Sequence, residues 1–313
     1  MKKYIIRAVA FAALFCLCFG AAQGVLHYRW SGYEDLYTRN IVYSQASPDS
    51  IDVLCFGTSE IYAGYTPIVS YETTGVTGFN FGVTSRSAMT AYYQLLYALK
   101  YQTPSVVICD FSCLFDDKLP SQEEEVYRKV AECMPDKELK EQLIREICEA
   151  DEAQSYLYWK FPLLRYHSNW KNVSLKQMLH RVDYTCTTPE KGYYLCKLIE
   201  PADASHYMVP SDESIQLNPS TFPYVRKIME LCREKDSQLV LFSIPSTENM
   251  DMPRSKALAA FAEENGLPYL DMDLHTEEIG IDWSIDTADK GDHLNFWAPA
   301  YFSDQYGYSS DSG

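Results

Sequence analysis

The chain has 313 residues, of which 47% are hydrophobic, enough for one large domain or two small ones. Its formal net charge of −16 at pH 7 excludes nucleic-acid binding from our expectations, because phosphate recognition requires clustered Lys and Arg. The same charge disfavours electrostatic docking on anionic lipids and favours a body that handles neutral or cationic substrates.

The N-terminus is the first recognisable element. A basic start, MKKYIIR, precedes residues 8–26, which carry no charge and just reach the length that spans a bilayer. The positive-inside rule then places the N-terminus in the cytoplasm and the body outside. A cleaved signal peptide, with the small residues Gly20 and Ala22 before the cut, is the alternative. The continued apolar run favours an uncleaved membrane anchor over residues 1–29, and both interpretations export the body, membrane-held or secreted.

Ten cysteines in an exported chain suggest disulfides. Cys55 and Cys109 lie inside apolar runs, where they are typical of small buried hydrophobes. Disulfides remain open, without a readable pairing, among five others: Cys133, Cys148, Cys186, Cys196 and Cys232. There is no CxxC pair, so a zinc ribbon is not predicted, and we expect neither a metal nor another cofactor.

After a predicted polar stalk over residues 30–50, short apolar runs alternate with helical patterns. Five runs predict buried strands: 51–57, 76–82, 105–111, 237–245 and 267–273. A helix is predicted over 87–101, and two more flank the fourth strand. This alternation is typical of a parallel sheet covered on both faces, so the fold class is α/β, a three-layer α/β/α sandwich.

Residues 116–218 interrupt the alternation. They contain a charged helix ending at Pro135, a second helix capped by Asp136, the aromatic run YLYWKFPLLRYHSNW and a polar loop over 183–218. We interpret them as a helical and loop insertion, or cap, on a sheet domain that covers 51–313.

Polar residues follow the strands of the predicted sheet. In open parallel sheets ligands bind beyond the carboxyl ends of the strands, where this chain places Ser59, Asn80, Gly82, Asp110, Ser112, Asp289, Asp292 and His293. Serine needs a base, here His293, oriented by a carboxylate. Backbone N–H groups at Ser59 and Gly82 would stabilise an oxyanion. The structural alternative is that Ser59 caps the helix after it.

Three short motifs carry a resemblance. The sequences GTSE after the first strand, NFG after the second and the Asp…His pair in DKGDHLN resemble the SGNH/GDSL hydrolase superfamily. The membrane-anchored start and the acid after the serine are similar to its extracytoplasmic branch, which includes the D-alanyl-lipoteichoic acid protein DltD and the alginate O-acetylation proteins. Over roughly 50–115 and 220–300, the resemblance implies a flavodoxin-like sheet, Ser59 as nucleophile, His293 as base and Gly82 as oxyanion donor.

The chain departs from that pattern in three places. CDFS replaces the third block, Gly-x-Asn-Asp, which leaves Asn80 or Ser112 as the side-chain oxyanion donor. The triad acid usually lies three residues before the histidine, a position that Lys290 occupies, so Asp289 or Asp292 completes the triad. Asp289 is favoured because adjacent residues in extended chain point apart. After HLNFW the closing helix of the family is replaced by a short, poorly helical end.

These features predict an exported serine esterase or O-acyltransferase acting on acyl esters of a cell-envelope glycan or exopolysaccharide. By resemblance, a membrane acyltransferase is a potential partner. The alternative is a non-catalytic envelope protein that keeps the fold and binds glycan or a partner, and a phosphodiesterase or lipase-type activity is the third candidate. Four residues are candidates for substrate binding: Asp110, Ser112, His167 and Trp170. For His167, a packed structural histidine is the alternative.

Overall fold

The computed structural model describes residues 1–26, 33–85, 87–116, 118–172 and 188–298. Five parallel strands form one sheet: β1 Val53–Phe56, β2 Gly78–Asn80, β3 Val106–Cys109, β4 Gln238–Ser243 and β5 Tyr269–Asp271. Their spatial order is β2-β1-β3-β4-β5, the order of flavodoxin-like sheets. The predicted α/β class and all five predicted strands are confirmed.

The central strand β1 shows why the sheet is covered on both faces. All four of its residues are buried, and successive side chains in a strand point to opposite faces. Leu54 and Phe56 belong to the main hydrophobic core, whereas Val53 and Cys55 belong to a smaller core on the other side. A continuous apolar run such as VLCF therefore fills two cores at once.

Helices surround the sheet. In chain order they are α1 Lys2–Leu26, α2 Tyr33–Ser44, α3 Ser59–Gly64, α4 Pro67–Thr74, α5 Ala88–Ala98, α6 Glu124–Glu132, α7 Lys137–Ala150, α8 Tyr156–Lys160, α9 Pro162–Tyr166, α10 Phe222–Glu234, α11 Met252–Asn265 and α12 Thr276–Ile279. Short 3₁₀ turns cover Ser112–Leu114, His167–Asn172, Pro219–Thr221 and Met272–His275.

Capping residues set several helix boundaries, and among them is the predicted cap Asp136. Ser87 accepts a hydrogen bond from the Thr90 N–H and starts α5. Asp136 accepts from Leu139 N–H and starts α7. α11 ends at Gly266, whose left-handed φ of 65° suits a residue without Cβ.

The stalk predicted over 30–50 is wrong for the described part of that range. α2 packs into the body, and the fully buried Tyr43 places its ring in the main core. The Tyr43 hydroxyl donates to Ala98 O at 3.0 Å, and Asn40 Nδ2 donates to Cys133 O at 2.9 Å. The segment looks polar in sequence, but its buried Arg39, Asn40 and Tyr43 side chains each donate a hydrogen bond inside the body, which apolar periodicity does not register.

The insertion packs on the sheet domain rather than standing apart from it. Val126 and Val130 of α6, together with Leu143 and Ile147 of α7, belong to the same core as β1 and α5. The described part of the predicted polar loop, residues 188–218, contains neither α-helix nor strand.

The two ends of the chain and the cysteines complete the description. Among the described residues, α1 is the one helix long and apolar enough to cross a membrane, a property that signal peptides share. The suggested disulfides are not formed among the described cysteines, since Cys133, Cys148, Cys196 and Cys232 are all free thiols. Cys186 and the sequence after residue 298, where a closing helix was not expected, lie outside the described residues.

Candidate active site

Ser59 lies where β1 turns into α3. Thr58 is the N-cap residue of α3 and Ser59 is its first helical residue, so Ser59 is not the cap that the structural alternative required. Gly57 permits the close turn, because a Cβ there would lie 2.8 Å from Asp110 Cβ. Ser59 itself is only 9% exposed.

Asp110 fixes this turn. Its Oδ2 accepts from Thr58 N–H at 3.2 Å and from the Thr58 hydroxyl at 2.5 Å, and its Oδ1 accepts from Ser112 N–H at 2.6 Å. These bonds tie the ends of β1 and β3 together. The structure therefore gives Asp110 a scaffold role instead of the expected contact with substrate, while Ser112 borders the cavity described next.

A cavity of about 420 Å³ opens at this edge of the sheet, where the polar residues were expected to converge. The groups that matter for chemistry on its wall are Ser59, Glu60, Ser112, Asn249, Asp292 and His293. Lys118 and Arg254 add positive charge to the same wall. The structure thus brings Ser59 and His293, 234 positions apart in sequence, to one cavity.

His293 is oriented mainly by Asp289. The His293 Nδ1 lies 2.6 Å from Asp289 Oδ2, and the His293 backbone N–H donates to Asp289 Oδ1 at 2.8 Å. Asp292 Oδ2 is farther from Nδ1, at 3.4 Å. The other ring nitrogen, Nε2, is buried and has no hydrogen-bond partner within the described part of the chain. Tyr62 stacks beside the ring, with centroids 6.4 Å apart.

A tight turn explains the spacing of four between acid and base. Thr287 and Leu294 form an antiparallel bridge, and Ala288 N–H donates to His293 O at 3.1 Å. Between them Lys290 and Gly291 adopt left-handed φ values of 63° and 104°. Because the chain doubles back over these two residues, a carboxylate four positions earlier reaches the imidazole.

Sequence reasoning missed one bridge across the cavity. Asn249 Nδ2 lies 2.5 Å from both Glu60 Oε1 and Asp292 Oδ1. Burial and the neighbouring Asp110 raise the pKa of Glu60, although its bond with Thr58 opposes this. The bridge joins the start of α3 to the loop that carries His293. Asn249 follows β4, so the rule that ligands bind beyond strand ends would have found it.

The structure does not support Asn80 and Gly82 as oxyanion donors. Asn80 is fully buried; its Nδ2 donates to Ile61 O at 2.8 Å and Tyr65 O at 3.0 Å, and its Oδ1 accepts from Gly82 N–H at 2.8 Å. Gly82 is required for packing, because a Cβ there would lie 2.7 Å from Tyr62 N. The backbone N–H of Ser59, in the first turn of α3, remains a donor of the kind that helix starts leave without an intrahelical acceptor.

His167 and Trp170 do not join the site. Both lie in the 3₁₀ turn after α9, in a segment that packs near α1 and is absent from the cavity wall. His167 Nδ1 lies 3.1 Å from Leu164 O, and Trp170 is 65% exposed. These two substrate-binding candidates therefore do not border the Ser59 cavity.

Within the described ranges, one group of side chains has the composition of a metal site. Asp289, Asp292 and His293 offer ligand atoms within 4.8 Å of one another. The same short Asp289–His293 contact is what a catalytic base requires, so the cluster needs no ion to explain it.

A second cavity of about 530 Å³ adjoins the first. Thr84 borders both, and Tyr62, whose ring stacks on His293, borders the second. Its walls combine apolar and aromatic side chains, including Tyr193 and Tyr194, with Arg39 and Glu190. An extended substrate therefore has room beyond the Ser59 cavity.

Comparison with known proteins finds similarity among solved structures. No model of a known protein family matches the chain, and no curated protein does. A Bacteroides fragilis structure with the provisional description acylhydrolase is 12% identical, with a TM-score of 0.35, over 84% of this chain and 90% of that one. A GDSL-like lipase from Bacteroides thetaiotaomicron is 10% identical, with a TM-score of 0.36, over 87% and 95%. We therefore take the function from the geometry of the cavity and not from these likenesses.

Proposed function

We propose that this protein is a serine esterase or O-acyltransferase that acts on acyl esters of a cell-envelope glycan or exopolysaccharide. One observation carries the proposal. Ser59 and His293 border the same cavity, and Asp289 lies 2.6 Å from Nδ1 while Nε2 stays unbonded among the described groups. An activated serine donates its hydroxyl to Nε2 of such a histidine. Because Nε2 has no hydrogen-bond partner among the described residues, the proposal requires the Ser59 hydroxyl to form this bond when substrate binds.

The chemistry follows from that arrangement. Ser59 Oγ attacks the acyl carbonyl and its proton passes to His293 Nε2, while Asp289 accepts from Nδ1–H and keeps the ring in the right tautomer. The tetrahedral oxyanion accepts from the Ser59 N–H at the start of α3. His293 then returns the proton to the departing sugar oxygen, which leaves an acyl-Ser59 ester. Water resolves this ester in hydrolysis, and a hydroxyl of a second sugar resolves it in transfer.

The surroundings of the site favour a neutral, extended substrate. The net charge of −16 repels polyanions at a distance. The two adjoining cavities provide room on both sides of Tyr62 and Thr84. An exported body, which both interpretations of α1 imply, meets such substrates in the envelope.

One observation favours the alternative, a non-catalytic envelope protein that binds glycan or a partner. Both donors expected at Asn80 and Gly82 are already used in internal hydrogen bonds, which leaves fewer groups for an oxyanion. Reactivity of Ser59 separates the two functions.

The test is covalent labelling of the full-length chain in detergent with a fluorophosphonate probe. We expect labelling of the wild type and of the exposed cavity-wall control Ser85→Ala, none of Ser59→Ala, and at least a hundredfold slower labelling of His293→Ala. Circular dichroism checks that each variant is folded. If the folded wild type is not labelled, Ser59 is a structural turn residue. The non-catalytic binding protein is then the remaining function.

A further inference from the structure

Residues 156–172, which we call the interfacial segment, expose several large apolar side chains. They comprise α8, α9 and the following 3₁₀ turn. The exposed side chains, with their exposed fractions, are Leu157 57%, Tyr158 47%, Phe161 40%, Leu164 45% and Trp170 65%. An apolar cluster of this kind marks a contact with a partner or a membrane.

The interfacial segment packs against the C-terminal turns of α1. Phe161 contacts Phe19, with ring centroids 6.1 Å apart, and Leu163 N–H donates to Gln23 Oε1. Residues 1–18 of α1 are exposed throughout, whereas Phe19 and Gln23 are half-buried. The one part of α1 that touches the body is therefore the end that leaves the membrane if α1 spans it.

The depth of this contact within the bilayer follows from the geometry of α1. Phe19 precedes the last residue of α1 by seven positions, or about 10 Å at the rise of an α-helix. Side chains that reach Phe19 therefore lie as deep as interfacial helices do, which bury their apolar faces roughly 5–10 Å into the headgroup boundary. Tyrosine and tryptophan are also the residues typical of this layer.

We propose that the interfacial segment lies in the outer headgroup layer of the bilayer beside α1, with its exposed apolar side chains inserted among lipids. The inference rests on α1 remaining as an uncleaved span. The apolar cluster is continuous with α1, the one helix among the described residues that is long and apolar enough to cross a membrane. We therefore assign a lipid surface as the partner of this cluster.

The charges of the interfacial segment indicate which lipids are sufficient for its contact with the bilayer. Lys160 pairs with Glu141, and Arg165 pairs with Glu124 at 2.7 Å, so these two basic residues of the interfacial segment are already neutralised. The ammonium group of a third, Lys171, lies 5.9 Å from the centroid of the Trp170 ring. Contact therefore depends on apolar burial, and zwitterionic phosphatidylcholine is enough.

The contact also determines which part of the protein lies between the candidate site and the membrane. Arg165 binds Glu124 in the first turn of α6. The preceding residue Glu123 and the next-turn residue Tyr127 line the Ser59 cavity. One helix thus separates that cavity from the lipid surface.

Tryptophan quenching in proteoliposomes tests the proposal with the full chain. The protein is reconstituted in phosphatidylcholine with and without lipids brominated near the headgroup, and carbonate-resistant flotation shows that α1 is inserted. The difference between wild type and Trp170→Phe isolates the emission of Trp170. The matched control is the same difference for Trp297→Phe. Trp297 is 43% exposed and lies outside the interfacial segment.

We expect brominated lipid to quench the Trp170 component at least twofold more than the Trp297 component. Leu164→Asp, with Leu270→Asp as an equally exposed control, should lower the quenching of Trp170, whereas the control should not. Equal quenching of Trp170 and Trp297 in a chain that floats overturns the interfacial contact. A chain that does not float overturns the anchor on which it rests. Fluorophosphonate labelling reports on the proposed chemistry independently of both results.

Discussion

Replacement of each aspartate by asparagine tests which carboxylate orients His293. Asp289 Oδ2 lies 2.6 Å from His293 Nδ1, and Asp289 Oδ1 also accepts from the His293 N–H. Asp292 Oδ2 lies 3.4 Å from the same nitrogen and is also bound to Asn249 through Oδ1. The two variants are nearly isosteric with the wild type, so they change charge and acceptor strength more than shape.

The expected loss for Asp289→Asn has two parts. A hydrogen bond to a charged group contributes about 1.5–3 kcal/mol, which corresponds to roughly 10- to 150-fold in rate. An asparagine amide that donates to Nδ1 would in addition place the ring proton on Nε2, the nitrogen that must accept from Ser59. In serine proteases this tautomer error costs about 10⁴-fold. We therefore expect Asp289→Asn to react roughly 10²- to 10⁴-fold more slowly.

Asp292→Asn should cost less than about tenfold, because 3.4 Å is longer than a direct charge-assisted bond. The assay is the second-order rate constant of fluorophosphonate labelling for both variants, with thermal unfolding measured in parallel. A larger loss for Asp292→Asn than for Asp289→Asn in folded proteins would refute this assignment of the acid.

Three further predictions concern stability. Burial raises the pKa of Asp273 from 3.8 to about 7, so between these pH values the folded state keeps a proton that the unfolded chain releases. The free energy of unfolding therefore falls by up to about 4 kcal/mol as pH rises through this window. Urea unfolding at pH 4, 5.5 and 8 measures this slope, which Asp273→Asn should abolish. Arg128→Ala removes the buried cation that pairs with Glu132, while Glu124 keeps its pair with Arg165, and should cost about 3–5 kcal/mol. The exposed control Arg145→Ala should cost less than about 1 kcal/mol, and equal losses would contradict the buried-pair account. Gly82→Ala should cost about 1–3 kcal/mol by crowding Tyr62 N. Because alanine keeps the backbone N–H, labelling of the folded protein should stay within about tenfold, and a hundredfold slower labelling would contradict a purely structural role for Gly82.

The sheet could be predicted because its strands are continuous apolar runs that start and end at turn residues. VLCF in β1 is buried on both faces, and an apolar run this short between turn residues is typical of a strand and not of a helix. The parallel arrangement then brings the ends of distant strands to one edge, and this is why Ser59 and His293 could be expected at a common cavity. Neither step requires knowledge of individual side-chain contacts.

The remaining features depend on tertiary contacts that no local pattern contains. Asn80 could be placed at the correct edge, but its hydrogen bonds to Ile61 and Tyr65, which remove it from the site, come from the packing of α3. The sequence of α2 predicts a polar stalk because Arg39 and Asn40 are polar, although both are buried in the structure. The sequence alone does not decide whether Asp289 or Asp292 orients His293. The left-handed turn at Lys290 and Gly291 decides it, because it reverses the chain and brings Asp289 to the imidazole.

Contacts between α1 and the interfacial segment have a practical consequence for anyone who expresses this protein. Deletion of α1 is the usual way to obtain a freely soluble fragment, but here it also removes Phe19 and Gln23 from α9. α9 is bound through Arg165 to Glu124 of α6, the helix beside the Ser59 cavity. A truncated fragment would therefore carry an uncovered apolar surface and a less firmly supported cavity wall, so Ser59 labelling measured on such a fragment should be compared with labelling of the full-length chain.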